Sequence, residues 1–368
     1  MSLFGSKKVS SYTLSIALKS SSIDIQLISQ ASKSTQKQVL FTQRKIIVLS
    51  DSQNSQLYTK QCLSELSNLL KSSIKEINQL CNGVLNQTQV VLYAPWFTSH
   101  ITSLSHKESV IITEKFLYQQ LHTIKTPSKL VNLEKKIVKI LANGYAVNEL
   151  SRSKLNNISL DVYSSYISDS IHNSINNVLR KSIPFCSKDI SYITSSILFF
   201  SQIKRFLVRE DNISFIYVGG EITELGIVED DALSFYATFP IGKHDFLREV
   251  QTQITSYDYD LLYQKQVQLK SKTKQAQFEE LKKQWGSMVL STLTSFKKDV
   301  PSKLLVISDS KTKDFFTENL ISQLKETSQT AFGHYRIINF DISHLEDIIL
   351  YKTSTHANEL DMQLEALI

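Results

Sequence analysis

Residues 214–228 read SFIYVGGEITELGIV, two apolar runs on either side of a Gly-Gly pair. This pattern is typical of two β-strands joined by a tight turn. The chain has only nine glycines, and four of them, Gly219, Gly220, Gly226 and Gly242, lie in or near this stretch. Glycine tolerates positive φ and close backbone approach, so its concentration here predicts a turn with special backbone requirements.

A second stretch of the same character lies near the start of the chain. Residues 12–29 alternate apolar and polar side chains around the small cluster Ser20, Ser21 and Ser22, which predicts another strand, turn and strand. Further along, the pattern predicts an apolar strand at 303–307 and a helix at 312–324. Two hairpins, with strand and helix units after them, indicate a duplicated α/β architecture.

Composition excludes several classes of protein. With 368 residues, 42% of them hydrophobic, the chain is long enough for two lobes around large cores. The net charge of +6 is too small to indicate a nucleic-acid partner. Cys62, Cys81 and Cys186 are too few for a disulfide framework or a zinc site, which favours a reducing cytosol. The pattern predicts neither a signal peptide nor a membrane span.

The two hairpins and the later strand and helix resemble the actin-like ATPase fold, in its bacterial FtsA and PilM branch. The residues that carry the resemblance are 3–8 running into 14–22, 215–228, and 239–242. The last of these is similar to the family's turn of proline, a small residue and glycine. The resemblance implies an α/β, duplicated, ribonuclease H-like fold of two lobes whose hairpins face each other across a nucleotide cleft.

The same resemblance implies a division of the chain. The first lobe is expected at residues 1–40 and 126–212, an inserted strand–helix–strand subdomain at 41–125, and the second lobe at 213–368 with a helical insertion at about 250–300.

Apolar spacing places individual elements within these limits. It predicts helices at 62–81 and 161–181 and a buried strand at 89–93.

The phosphate-binding positions that the resemblance implies lie at the two turns. Backbone N–H groups approach a phosphate closely where side chains are small. The corresponding residues here are Ser20, Ser21, Gly219, Gly220, Thr223 and Gly242. Taken alone, the Gly-Gly pair is more typical of an ordinary hairpin turn. The order of elements favours a relic nucleotide site at these six residues.

Both turns lack the carboxylate that the family uses to hold Mg²⁺. Ala17 and Tyr217 stand where the family has Asp. Hydrolysis of a phosphoanhydride requires Mg²⁺ held by carboxylates and water. The sequence therefore predicts no ATP turnover, no catalytic residue and no metal site.

Two further positions depart from the family pattern. Lys19 replaces a glycine in the first turn, and we expect its side chain to lie in solvent. Ser308 and Asp309 follow the strand at 303–307, where the family has a glycine pair on the adenosine side of the cleft.

The resemblance implies a non-catalytic cytoplasmic scaffold. Such a protein recruits the cytoplasmic tail of a bitopic inner-membrane protein, either a PilN-like protein of type IV pilus assembly or a division protein. We expect an extended tail to pair with an open strand at 89–93. Residues 357–368 are amphipathic but acidic, which favours membrane association through a partner over direct lipid binding. No cofactor is expected.

The alternative is an ATP-binding actin-like ATPase of the FtsA type, with ATP and Mg²⁺ as its cofactors. Glu221 or Glu224 would then replace the missing carboxylates. Actin-like folds also assemble head to tail, so this protein would be able to polymerise. The sequence does not choose between a monomer and a filament, or between pilus assembly and cell division.

Overall fold

A computed structural model describes residues 10–31, 36–48, 55–147, 150, 153–184, 190–207, 212–250, 262, 271–296, 300–327, 335–338, 340, 345, 348–352 and 359–367. Residues 3–8, Cys186 and most of 251–270, all used in the sequence analysis, lie outside these ranges.

The strands are β1 (Ser10–Leu18), β2 (Ser22–Ala31), β3 (Lys37–Ile46), β4 (Gln87–Leu92), β5 (Thr98–His106), β6 (Val110–Ile111), β7 (Leu130–Ala142), β8 (Tyr145–Ala146), β9 (Lys154–Leu155), β10 (Ile158–Ser168), β11 (Ile190–Thr194), β12 (Ile213–Val218), β13 (Thr223–Glu229), β14 (Ala232–Phe239), β15 (Lys303–Ile307), β16 (Arg336–Ile338) and β17 (Ile349–Tyr351). The helices are α1 (Ser55–Leu80), α2 (Glu114–Thr123), α3 (Asp169–Ser182), α4 (Ser195–Phe206), α5 (Lys243–Val250), α6 (Lys272–Ser295), α7 (Lys313–Thr327) and α8 (Leu360–Ala366).

Two sheets share one topology, which confirms the predicted duplication. The first contains the order β3-β2-β1-β4-β11 and the second has the order β14-β13-β12-β15-β16. In each, three antiparallel strands are followed by two parallel strands. We call the first sheet with α1 and α3 the first lobe, and the second sheet with α5, α6 and α7 the second lobe.

Apolar side chains bury each sheet against its helices. In the first lobe, Leu66 and Leu70 of α1 and Ile175 of α3 pack against the sheet. In the second lobe, Trp285 of α6 and Phe316 of α7 do the same. These helices have the spacing of three and four residues that gives one apolar face.

A third apolar cluster lies between the lobes and joins them. It includes Ala17 and Tyr93 from the first lobe, Tyr217 and Ile307 from the second, and residues of α4 and α8. Its position matters because the resemblance implies a nucleotide cleft between the two lobes.

The inserted subdomain differs from its predicted limits of 41–125. A separate sheet of order β5-β10-β7-β8 spans residues 98–168 together with α2 and the pair β6 and β9. Instead, β3, α1 and β4 belong to the first lobe, since β3 pairs with β2, β4 pairs with β1, and α1 packs on the same sheet. Periodicity identified strands and helices but carried no information on which strands are neighbours.

The helix predicted at 161–181 begins only at Asp169. Residues 158–168 form β10, which pairs with both β5 and β7. The apolar residues of this segment fit either period, and tertiary pairing decided between them.

The end of the chain returns to the first lobe, which corrects the predicted second lobe of 213–368. Strand β17 pairs with β3 at the edge of the first sheet. Helix α8 then lies between the lobes and contacts β1, β2 and α4.

Candidate functional site

The two predicted turns lie in direct contact. The backbone N–H of Glu221 donates a hydrogen bond of 3.1 Å to Ser20 Oγ. A Cβ atom built on Gly220 would lie 1.6 Å from Ser21 Oγ, so only glycine fits at this position. The structure therefore brings Ser20, Ser21, Gly219 and Gly220 together, with the two turns in direct contact at these residues.

Gly242 packs against the backbone of the Gly219-Gly220 turn. A Cβ on Gly242 would lie 2.3 Å from the carbonyl oxygen of Gly220. The first N–H groups of α5, those of Lys243 and His244, donate to the carbonyls of Gly219 and Gly220 at 3.0 and 2.8 Å. Helix N-termini bind phosphates in other proteins, whereas this one binds the turn itself.

Thr223, the sixth predicted residue, is also used internally. Its hydroxyl donates to the carbonyl of Ile241 at 2.7 Å and accepts from Trp285 Nε1 at 3.1 Å. The side chain is thereby fixed between β13 and α6.

Lys19 is buried, contrary to the expectation that it lies in solvent. Only 3% of the residue is exposed. Its Nζ lies 2.6 Å from Asp24, 2.6 Å from Asp361 and 2.8 Å from Glu365. The ammonium group also lies 5.0 Å from the centre of the Tyr93 ring. A buried ammonium group requires such partners, because without them the free-energy cost of its desolvation would keep the side chain in solvent.

Arg44 completes an ion-pair cluster with these residues. It makes two hydrogen bonds to Asp24, of 2.7 and 2.8 Å, and another of 3.1 Å to Asp361 Oδ2. We refer to Lys19, Asp24, Arg44, Asp361 and Glu365 as the ion-pair cluster. Burial alone would raise the pKa of Asp361, but Arg44 and Lys19 more than offset this and hold it well below its usual range.

The ion-pair cluster contains three carboxylates and two cations, and this excess of acidic groups contributes to a raised pKa of Glu365. Burial, together with the negative charges of Asp24 and Asp361, raises the pKa of Glu365 to about 7 although Lys19 opposes the rise. Glu359, which precedes α8 and lies 3.7 Å from Arg44, also has its pKa raised to about 7, chiefly by burial. Near neutral pH, part of the acidic excess is therefore removed by protonation.

Asp24, Asp361 and Glu365 form the one group among the described residues whose ligand atoms lie close enough together to hold a metal ion. The Nζ atom of Lys19 lies within hydrogen-bond distance of all three carboxylates. A fixed ammonium group therefore stands in the place between them where a divalent cation would sit.

The positions at which the family has Asp are apolar or aromatic. Ala17 and Tyr217 belong to the cluster between the lobes. The rings of Tyr93 and Tyr217 lie 5.0 Å apart, and the Tyr217 ring is also 5.2 Å from that of Phe199. These side chains pack against one another between the two lobes.

Glu221 and Glu224, the alternative carboxylates, both have partners within the protein. Glu221 pairs with His244 and Arg248 at 3.1 and 2.7 Å. Glu224 accepts hydrogen bonds from the Ala94 N–H, Ser195 and Tyr236. Burial raises the pKa of Glu224 to about 7. The contact of Glu224 with Ala94 joins the two lobes, whereas both partners of the Glu221 carboxylate lie on α5 of the second lobe.

Asp309, in place of the family's glycine pair, is buried against the second lobe. It forms an ion pair with Lys243 and accepts a hydrogen bond of 3.1 Å from the N–H of Thr312. Burial opposes ionisation, but Lys243 holds the pKa of Asp309 below its ordinary value. At the position where the resemblance implies a glycine pair, the chain thus has a buried side-chain ion pair.

Sequence reasoning missed Arg44 and the acidic residues of α8. One signal was present: Asp361 and Glu365 are four residues apart within the amphipathic segment Leu360–Leu367. Two carboxylates on one helix face predict a cationic partner, but nothing in the sequence identifies Lys19 and Arg44 as that partner.

Comparison with known proteins supports the fold. No protein-family profile and no curated protein matches the chain. Among solved structures it is similar to the PilM-PilN type IV pilus biogenesis complex, with 10% identity, coverage of 96% of both chains and a TM-score of 0.61. A Bacteroides thetaiotaomicron protein with actin-like ATPase fold and unknown function shows 12% identity over 100% and 99% of the two chains, with a TM-score of 0.47. The ethanolamine utilization protein EutJ from Carboxydothermus hydrogenoformans shows 8% identity over 96% and 89%, with a TM-score of 0.43.

The chain has the actin-like ATPase fold, in agreement with the sequence prediction. The repeated sheet order and the full-length similarity to PilM-PilN agree on this point. At 10% identity the similarity establishes the fold and not the activity. Among the described residues, no helix is both long and apolar enough to cross a lipid bilayer.

Proposed function

We propose that this protein is a non-catalytic, actin-like scaffold of the PilM type that binds the cytoplasmic tail of an inner-membrane protein. The observation that carries the proposal is the filled cleft. Its two turns touch at Ser21 and Gly220, and Lys19 stands in place of a metal ion. A cleft filled in this way favours a docking role over nucleotide hydrolysis, and we propose that the protein uses no nucleotide cofactor.

A PilN-like partner is supported by the similarity to the PilM-PilN complex. By this proposal the protein is cytoplasmic and lies at the inner face of the membrane through that partner. The similarity to the PilM-PilN type IV pilus biogenesis complex, with a TM-score of 0.61, supports a role in type IV pilus assembly.

The strand predicted to receive the tail does not have a free edge. Strand β4, residues 87–92, pairs with β1 on one side and β11 on the other. The predicted docking strand at 89–93 is therefore wrong, because both rows of its backbone groups are used within the sheet.

We propose β5 as the docking strand instead. It lies at the outer edge of the inserted sheet and pairs with β10 alone among the described strands. Its nine residues include no proline and no Lys, Arg, Asp or Glu. Such residues usually protect an exposed edge from further pairing, so their absence favours addition of an extended segment.

Calorimetry with tail peptides tests the proposal. The peptides copy the cytoplasmic tails of the bitopic proteins encoded beside this gene. One of them should bind, and the double variant Thr102→Lys/Ser105→Lys should weaken its binding at least about 10-fold by charging the edge. The control Ser291→Lys/Thr294→Lys, on the exposed face of α6, should bind like the native protein.

Nucleotide binding is tested separately by thermal unfolding with ATP, ADP and Mg²⁺. A ligand at about 100 times its dissociation constant adds about 2.7 kcal/mol of stability. We expect no shift. A clear shift with Mg-ATP, accompanied by phosphate release, would favour the FtsA-type ATPase and overturn the scaffold.

A further inference from the structure

Helix α8 is buried on every side. All seven of its residues, Leu360–Ala366, are buried although three of them, Asp361, Gln363 and Glu365, are polar. A surface helix would leave its polar face in water. Two turns of helix are also too short to be stable alone. The order of α8 therefore depends on the groove around it.

Both lobes supply the walls of this groove. Leu364 of α8 belongs to the apolar cluster between the lobes. The same cluster contains Ile28 and Val39 from the first lobe, and Ile307 and Phe340 from the side of the second lobe. The helix thus fills the space between the lobes rather than extending either sheet.

The polar contacts of the groove select an acidic helix. Asp361 and Glu365 lie on one face because they are four residues apart. Lys19 contacts both carboxylates, Arg44 contacts Asp361, and the Tyr93 hydroxyl donates to Glu365 at 2.8 Å. A helix with neutral or basic residues at these positions would leave Lys19 and Arg44 to share Asp24 as the one remaining carboxylate of the ion-pair cluster.

One contact recognises the helix backbone itself. Gln26 Nε2 donates a hydrogen bond of 2.8 Å to the carbonyl oxygen of Met362. The groove therefore combines apolar walls, a charged pair of anchors and a backbone contact, as a peptide-binding site does.

We infer that the groove between the lobes is a binding site for an acidic helix with two carboxylates four residues apart, and that α8 occupies it as an intramolecular ligand. The inference is independent of the tail-binding role proposed above, which uses β5. It assigns a ligand class to the cleft: a helical peptide in place of a nucleotide.

Peptide exchange tests this in the full chain. Residues 353–358 are replaced by a protease recognition sequence, the purified protein is cleaved there, and a fluorescent peptide of residues 359–368 is added. Anisotropy should show saturable binding to the cleaved protein and none to the uncleaved protein, whose groove is filled. A peptide with Asp361→Lys and Glu365→Lys should bind at least about 100-fold more weakly, since it breaks buried ion pairs.

Circular dichroism covers the case in which cleavage causes unfolding. Excess native peptide should then restore the folded spectrum, and the charge-reversed peptide should not. Three results would overturn the inference: a folded cleaved protein that binds no peptide, equal binding of the two peptides, or an unfolded cleaved protein that the native peptide does not restore.

Discussion

The Nζ atom of Lys19 lies 2.6 Å from Oδ2 of Asp361, so the turn after the first strand is joined to the last helix of the chain. The two residues are 342 positions apart in the sequence. Their contact holds α8 between the lobes.

Replacement of Lys19 by methionine should strongly destabilise the fold. The variant keeps most of the side-chain volume but leaves Asp24, Asp361 and Glu365 with one fewer buried cation. Removing one partner of a buried ion pair costs about 3–5 kcal/mol, which urea unfolding would measure. Lys45→Met is the control, because Lys45 is half exposed and 3.7 Å from Glu65, and it should cost less than about 1 kcal/mol. A similar, small cost for both variants would contradict the role given to Lys19.

Gly220→Ala should separate the two turns. The new Cβ would lie 1.6 Å from Ser21 Oγ and 2.7 Å from Ser21 Cβ, and overpacking of this kind costs about 1–3 kcal/mol. Adding Ser21→Gly should recover part of the loss by removing the clashing side chain. A double-mutant cycle by thermal unfolding measures this coupling, and strict additivity would show that the turns do not touch.

Glu365→Gln should change how stability depends on pH. Burial raises the pKa of Glu365 from 4.5 to about 7, so between these values the folded chain holds a proton that the unfolded chain has released. The stability that this group contributes is complete below pH 4.5 and is lost as the pH rises through 7, with a slope approaching about 1.4 kcal/mol per pH unit.

The measurement is urea unfolding of both proteins from pH 5 to pH 8. The native protein should lose stability relative to Glu365→Gln as the pH rises, since the amide does not ionise. A constant difference across this range would show that Glu365 titrates normally.

Glu224→Ala should loosen the contact between the lobes at Ala94. The Ala94 N–H donates to Glu224 at 2.8 Å, and its amide should exchange with solvent faster in the variant because the buried acceptor is gone. Hydrogen exchange at single-residue resolution detects this. Glu279→Ala, at a residue whose side chain is 54% exposed on α6, serves as the control and should leave Ala94 protected.

Cys62 and Cys81 should not react with thiol reagents until the protein unfolds. Both are free and buried, and burial raises the pKa of Cys62 to about 12. In a Cys186→Ser variant, Ellman's reagent at pH 8 should therefore detect no thiol without denaturant and two with it. Rapid labelling of the native variant would show that α1 opens readily.

The sequence correctly predicted the features that depend on neighbouring residues. The alternation around Ser20–Ser22 and around Gly219-Gly220 specified two hairpins, and apolar spacing specified α1 and the unit of β15 and α7. The sequence also shows directly that Ala17 and Tyr217 stand where the resemblance implies Asp. Local propensity and burial pattern determine such features within a few residues of chain.

Only the tertiary structure decided which segments meet. It assigned β3, α1 and β4 to the first lobe and placed β4 in the interior of a sheet. It also buried Lys19 against carboxylates more than 300 residues away. The residues next to a lysine or an aspartate in the sequence do not show whether its side chain lies in solvent or in a buried ion pair. Burial is possible only where partners from other segments offset the free-energy cost of desolvation. The sequence by itself thus determined a duplicated fold, and the packing of α8 decided what lies between its two lobes.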